Sequence, residues 1–264
     1  MNENHIFFTA DTHYGHSNIM RYCHRPFDTI EEHDAQLIKN TNDMVGENDV
    51  LYHLGDFAFA HAWAKRSKEL ATSTIAEYRS QIKCKNIILI MGNHDPHYAN
   101  GDPRKELTDL FEVHKMLRIK IDHQKIILLH YALKVWDCMH YGAFSLFAHS
   151  HNSLFCDLED DIDSAREILG ESVDIDKLTA FMSFMRRRYG ADSKSIDVGV
   201  DAVASRLAGQ TYSKLKKLGF PRELLKPENY RPMSYAEVAA IMATKEFTPV
   251  DHHEGRTSRK SEED

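Results

Sequence analysis

Ile87-Ile88-Leu89-Ile90-Met91-Gly92-Asn93-His94-Asp95 joins an apolar run to three consecutive polar side chains that can bind a metal or move a proton. The run Ile87–Met91 reads as a buried strand. Gly92 has no Cβ and can turn the chain sharply where the strand ends. Asn93, His94 and Asp95 then fall at the carboxyl edge of a sheet, where open α/β folds place their ligands.

The same pattern recurs four times. Phe7–Ala10 ends in Asp11-Thr12-His13, and Val50–Leu54 ends in Gly55-Asp56. Ile126–Leu129 ends in His130, and Phe144–Ala148 ends in His149-Ser150-His151. Asn, His and Asp are ordinary loop residues, and one after a strand means little. Five strand-like runs that each finish in a metal-ligand type form a constellation. Asp11 and His13 are two apart, so in extended chain they point the same way.

The ordered set is Asp11, His13, Asp56, Asn93, His94, His130, His149 and His151. Carboxylates, imidazoles and an amide oxygen, with no thiolate, suit Mn²⁺, Fe or Zn²⁺ and disfavour a structural Cys-type zinc. Even seven such ligands overfill one metal, so two are implied. A two-metal site of about 3.5–4 Å spacing clamps the attacking and leaving oxygens of an in-line displacement.

Composition bounds the rest. A chain of 264 residues with 42% apolar and 28% charged residues can bury a full core. Its net charge of −7 and pI near 6.2 argue against a mainly electrostatic nucleic-acid binder. Nucleic-acid substrates stay open, because bound metal ions change the local field. Met1–His5 lacks the pattern of a signal peptide, and no apolar run approaches the ~20 residues of a membrane span. Cys23, Cys84, Cys138 and Cys156 are scattered, as expected of reduced thiols in a cytoplasmic protein.

Along the chain, the periodicity predicts helices over about 30–45 and 62–82, and a short one after Pro103. Leu117–Ile121 and Lys125–Leu129 read as strands joined by a turn at Asp122-His123-Gln124. From Cys156 to Lys194 the character changes: the acidic run Asp157–Asp163 precedes helices over 165–169 and 175–189. This stretch reads as an insertion, either a surface decoration or a cap that turns an arginine toward substrate. Ser195–Asp201 returns to strand pattern. Ser234-Tyr235-Ala236-Glu237 is a capping-box signature for a helix to about Ala243. Residues 1–247 are expected to form one domain, and 248–264 a disordered tail.

Taken together, Asp-x-His, Gly-Asp, Gly-Asn-His-Asp, His and His-x-His resemble the calcineurin-like metallophosphoesterase superfamily, over about residues 6–151. Asp11-Thr12-His13-Tyr14-Gly15-His16, Arg25-Pro26-Phe27, Leu54-Gly55-Asp56-Phe57 and Asp197-Val198-Gly199-Val200-Asp201 resemble a bacterial and phage phosphoesterase branch. The resemblance implies an α/β four-layer sandwich, two mixed β-sheets flanked by α-helices. It implies Asp11, His13, Asp56 and His151 around one metal, and Asp56, Asn93, His130 and His149 around the other. It implies His94 as a catalytic non-ligand, with Asp95 orienting it. The family has glycine before its final His-x-His, where this chain has Ala148. The arginine that follows Gly-Asp in Ser/Thr protein phosphatases is replaced here by Phe57-Ala58-Phe59.

The function expected is hydrolysis of phosphate esters by a hydroxide activated between two divalent ions, Mn²⁺ first, with Fe, Zn or Ni as alternatives. A phosphodiesterase on a small nucleotide or nucleic-acid-like diester is the leading reading. The rivals are a phosphomonoesterase, a nuclease on DNA or RNA, and a non-catalytic binding module. His16 and Arg25 are candidate substrate contacts, each with a plain structural alternative. The sequence names no oligomeric state and no membrane partner.

Overall fold

The computed structural model describes residues 3–59, 68–155, 157–170 and 172–247. Cys156 and the expected tail over 248–264 lie outside the described residues.

Alternation along the first strand sets the layers. In β1 (Ile6–Thr9) all four residues are buried, although a period of two sends them to opposite faces. Both faces of this sheet are therefore covered, as near-continuous apolar strands require. β1 lies parallel to β2 (Val50–His53), β2 to β3 (Asn86–Ile90), and β3 to β4 (Glu112–His114). The short β9 (Met233–Ser234) runs antiparallel on the free side of β1. A second sheet has the order β5 (Met116–Ile121), β6 (Gln124–Leu129), β7 (Phe144–Phe147), β8 (Ser195–Asp197).

β5 and β6 form an antiparallel hairpin in which Ile121 faces Gln124, so the loop is Asp122-His123 alone. Both residues are left-handed (φ 40° and 68°), as a two-residue turn of the primed type needs. β6, β7 and β8 are parallel. The protein is thus α/β, with two mixed sheets flanked by helices, as expected.

Three apolar layers hold this together. Between the sheets, Ile6, Phe8, Leu54 and Ile90 meet Ile126, Leu128, Leu146 and Ile196. On the outer face of the first sheet, Phe7, Leu51 and Leu89 pack under α2 (Ile30–Met44) and α3 (Lys68–Gln81) through Leu37, Ile38 and Ile75. Ile127 packs with Trp136, Met139 and Ala143 on the far side of the second sheet. Each such side chain contributes roughly 1.5–3 kcal/mol relative to exposure. α9 (Tyr235–Ala243) starts with the capping box of Ser234 and Glu237 and adds Val238 and Met242 to the core between the sheets.

Two elements differ from expectation. α5 (Leu158–Leu169) begins seven residues before the Ala165 start expected. Its first turn is the acidic run itself, which the positive end of the helix dipole favours. α6 (Ile175–Tyr189) follows as expected, capped by Asp174. The stretch Ser195–Asp201 does not stay extended: β8 ends at Asp197, and α7 (Val200–Leu207) starts after Gly199. Val200, Ala202, Val203 and Ala204 are all buried there, an apolar composition that a short buried strand shares with a short buried helix.

The connections complete the frame: α1 (Ser17–Tyr22), α4 (Lys105–Thr108) and α8 (Tyr212–Leu218). No helix among the described residues is long and apolar enough to cross a membrane. The parallel strands β1, β2 and β3 of one sheet, and β6 and β7 of the other, deliver the predicted ligand residues from their carboxyl ends.

Candidate metal centre

The chain leaves these strands in unusual backbone. Asp11, His13, Asp56, His149 and His151 all have positive φ (55°, 51°, 55°, 69° and 46°). Such conformations cost of order 1–3 kcal/mol each and persist where the surroundings over-determine them. Asp11 and His13 are therefore not two positions of an extended strand, as their spacing suggested. β1 ends at Thr9, and left-handed residues carry both side chains inward. The loop is held to its neighbour by Asp11 N to Gly55 O (3.0 Å) and His13 N to Asp56 O (3.0 Å).

Gly92 is needed for closeness rather than for turning. Its φ is not in the left-handed region, but a Cβ there would lie 2.2 Å from Asp56 Oδ1. Ala148, where the family has glycine, is also outside the positive-φ set and packs in the core between the sheets. His149 is placed without strain at the residue before it.

The side chains gather in two groups. Asp11, His13 and His151 form one, and Asp56, His130 and His149 the other, with the ligand atoms of each within 4.8 Å of one another. Asp56 Oδ2 lies 3.5 Å from His13 Nε2 and 3.5 Å from His130 Nε2, so this carboxylate stands between the groups. Asn93 Oδ1 joins the second group, 3.1 Å from His130 Nε2.

The protonation pattern fits cations. His130 Nδ1 is 2.7 Å from the Leu54 carbonyl, which can only accept, so Nδ1 carries the hydrogen. Burial pushes His130 down to about 4, so the ring is neutral and its Nε2 is bare. A bare nitrogen then faces the Asn93 oxygen with no proton between them, an arrangement that a cation stabilises. In the other group, Asp11 Oδ1 and His13 Nε2 are buried with no hydrogen-bond partner. Burial holds His13 well below its ordinary value and Asp11 well above its own. These donors suit two divalent ions.

Behind His151 lies a buried network that the sequence reading missed. Asp201 Oδ2 accepts from His151 Nδ1 (2.7 Å) and from Arg25 Nη2 (2.7 Å), and Asp201 Oδ1 accepts from Arg25 Nε (2.9 Å). Arg25 also donates to the Asp11 and Thr12 carbonyls (2.6 and 3.1 Å) and to His33 (2.8 Å). His33 in turn meets Asp34 (2.7 Å), whose other oxygen accepts from Gly15 N (2.9 Å). Burial alone would raise the Asp201 carboxyl, but Arg25 and His151 hold it well below the usual carboxylate range.

Arg25 is thus no substrate contact in this structure. Its side chain is fully buried, and its donors are spent on the Asp11 loop and on Asp201. Asp201 fixes the His151 ring through Nδ1, and against the cost of burial the Asp11 and Asp201 carboxylates hold His151 well above its ordinary value, so an ion there would take the place of a proton. Asp201→Asn is expected to weaken the ion at Asp11, His13 and His151 by about 10–100-fold while sparing the other, the usual cost of losing an outer partner. Calorimetric metal titration checks this, and equal weakening of both sites would refute it.

The catalytic candidates separate. Asp95 does not orient His94. Its carboxylate accepts from Gly92 N (2.8 Å), Asp56 N (2.9 Å) and Phe57 N (3.0 Å), and so ties the Gly-Asn-His-Asp turn to the Asp56 loop. Three convergent backbone donors outcompete a neighbouring imidazole. His94 donates its backbone N–H to Asp56 Oδ1 (2.8 Å), and its ring centroid lies 5.2 Å from that of His13, outside both groups. His16 stacks on Phe59 (3.9 Å) with Nδ1 3.5 Å from His13 Nδ1. His53 is buried against Thr12 (3.0 Å).

The insertion borders the loop that carries His149 and His151. Arg186 pairs with Asp161 and Asp192 and lines a cavity of about 230 Å³ with Ser150, Asn152 and Asp197. Asp197 Oδ2 holds the His149–His151 loop through Ser150 Oγ (2.9 Å) and Asn152 N (3.1 Å). The Arg188 guanidinium lies over Phe184 and Tyr189.

Comparison with known proteins gives consistent results. The sequence profile of the calcineurin-like phosphoesterases matches residues 5–183. An uncharacterised protein of Methanocaldococcus jannaschii is 40% identical over 90 residues, which are 34% of this chain and 46% of that protein. The Gene 66 protein of Mycobacterium phage L5 is 34% identical over 100 residues, 38% of this chain and 44% of that protein. The matched segments thus span less than half of each relative. A solved structure of a protein of unknown function from Aquifex aeolicus aligns over 89% of this chain and 98% of its own, with TM-score 0.50 and 16% identity. That likeness concerns the fold alone.

Proposed function

Because the chain belongs to the calcineurin-like phosphoesterase family, we propose that it hydrolyses phosphodiesters, on a small nucleotide or a nucleic-acid-like chain, with two divalent ions at the strand ends. The observation that carries this reading is Asp56 Oδ2, 3.5 Å from a histidine of each ligand group. Asp11, His13 and His151 would hold one ion, Asn93, His130 and His149 the other, and Asp56 both. When bound, such ions supply charge neutralisation at phosphorus and a nucleophile at neutral pH. Manganese is the expected metal, since oxygen and imidazole donors without thiolate suit it.

The chain's own residues do the rest. Asp95 fixes the Asp56 backbone, the His94 N–H and the room at Gly92 fix the Asp56 carboxylate, and Arg25 and Asp201 fix His151. His94, beside His13 but in neither group, would give a proton to the leaving oxygen. The net charge of −7 speaks for a small substrate over a long duplex, whose binders are usually basic. Cys23, Cys84 and Cys138 are unpaired, which fits a reducing compartment such as the cytoplasm. Arg186 of the insertion shares a cavity with Ser150 and Asn152, and deleting residues 156–194 tests whether the insertion caps the substrate.

A panel of monoester, diester, cyclic-nucleotide and single-stranded DNA substrates, run with Mn²⁺, Ni²⁺, Zn²⁺ and Mg²⁺, tests the reading. Turnover of diesters above monoesters supports it. Exclusive monoester turnover, or none with any metal, overturns it.

A further inference from the structure

We infer that two exposed tyrosines, Tyr131 against the Asp56, His130 and His149 group and Tyr22 one ring beyond the other group, across His16, are stacking platforms for flat rings on either side of the scissile phosphate. The inference rests on the phosphodiesterase reading above and narrows its substrate class to diesters with a nucleobase on each arm.

Tyr131 directly follows the candidate ligand His130. Its ring centroid lies 4.7 Å from that of His149 and 5.1 Å from that of His130, both edge-to-face. It is 45% exposed, whereas most large aromatics around the metal loops, Tyr14 and Phe57 among them, are buried. Tyr22 ends α1 and is 59% exposed. Its ring stands 6.2 Å from His16, edge-on, and the His16 ring is 5.3 Å from His13 and 6.1 Å from His94. The Arg21 guanidinium lies 5.0 Å over the Tyr22 ring and adds positive charge at the rim.

Tyrosine offers a large face at low entropic cost, since only two torsions need ordering. Stacking is also tolerant of base identity, because every base has a π-face. A phosphomonoester with one ring would use a single platform. Two platforms, Tyr131 on one group and Tyr22 across His16 from the other, match a substrate whose phosphate sits at the ions with a ring toward each tyrosine. That chemistry is a dinucleotide or the end of a single strand.

The test is steady-state kinetics of the Mn²⁺-loaded full-length protein on three diesters. They are a thymidine dinucleotide, the same molecule with one base replaced by an abasic spacer, and ring-free glycerophosphoethanolamine. Tyr131→Ala and Tyr22→Ala should each raise KM for the dinucleotide by about 5- to 150-fold, with kcat little changed. Tyr131→Phe should keep the wild-type KM. The abasic substrate should lose sensitivity to one of the two alanine variants, and the ring-free diester to both.

Dinucleotide turnover with unchanged KM in both alanine variants overturns the stacking inference and leaves the phosphodiesterase reading standing. An equal KM increase on the ring-free diester also overturns it, because the tyrosines would then act on the metal groups rather than on bases. Absence of all diester turnover in the wild type overturns both. Circular dichroism and metal content of each variant separate a folding defect from a binding one.

Discussion

Asp56→Asn is expected to lose turnover by roughly 10³-fold or more while the protein stays folded. Each ion is asked for several kcal/mol of charge stabilisation, and about 1.4 kcal/mol is a factor of ten in rate. Asparagine preserves what the fold needs. It tolerates the left-handed backbone that Asp56 adopts (φ 55°). Its side-chain oxygen can still accept from His94 N, as Asp56 Oδ1 does at 2.8 Å. What it removes is the negative charge between His13 and His130. The substitution also relieves repulsion with buried Asp95, whose carboxyl is pushed up to about 6 by burial and by Asp56. An unchanged far-ultraviolet spectrum with kcat/KM down by the stated factor is the expected pair of results. Activity within tenfold of wild type at ordinary metal concentrations would count against a shared carboxylate.

His94→Asn should discriminate between substrates. General acid catalysis contributes typically ~10²–10⁴-fold, and only to a leaving group that needs a proton. A nitrophenolate leaves without one, whereas a ribose or alkyl alkoxide does not. The variant should keep both ions, because the His94 ring belongs to neither ligand group, and its hydrogen bond to Asp56 comes from the backbone. It should lose little activity on bis-nitrophenyl phosphate and ~10²–10⁴-fold on an alkyl diester. Equal losses on both substrates would assign His94 to charge stabilisation in the transition state instead. Loss of metal would make it a ligand.

The positions of the candidate ligands were legible because of parallel pairing. Apolar runs that end in Asp11, Asp56 and Asn93 become β1, β2 and β3 of one sheet, with their carboxyl ends together. Those that end in His130 and His149 become β6 and β7 of the other. The hairpin at Asp122-His123 and the capping box at Ser234 were legible because both are local chemistry.

Tertiary features were not. Arg25 and Asp201 are 176 residues apart, and nothing near either names the other. Asp95 next to His94 invites a pairing that the Gly92, Asp56 and Phe57 amides win. The left-handed backbone at Asp11, His13, Asp56, His149 and His151 has no glycine to announce it. By its sequence Gly92 reads as a turn, whereas in the fold its missing Cβ leaves room for Asp56 Oδ1. The helix over Val200–Leu207 was hidden because a short buried helix and a short buried strand share one apolar composition.

Two ions sharing Asp56 are the core of the proposed chemistry, and metal content measured alongside turnover reaches it most directly. Metal-free protein titrated with Mn²⁺ in a calorimeter, with kcat/KM read at each step, should bind two ions per chain. Activity should rise with occupancy of the second. Full activity with one ion per chain, and no second binding event, would contradict the dinuclear centre.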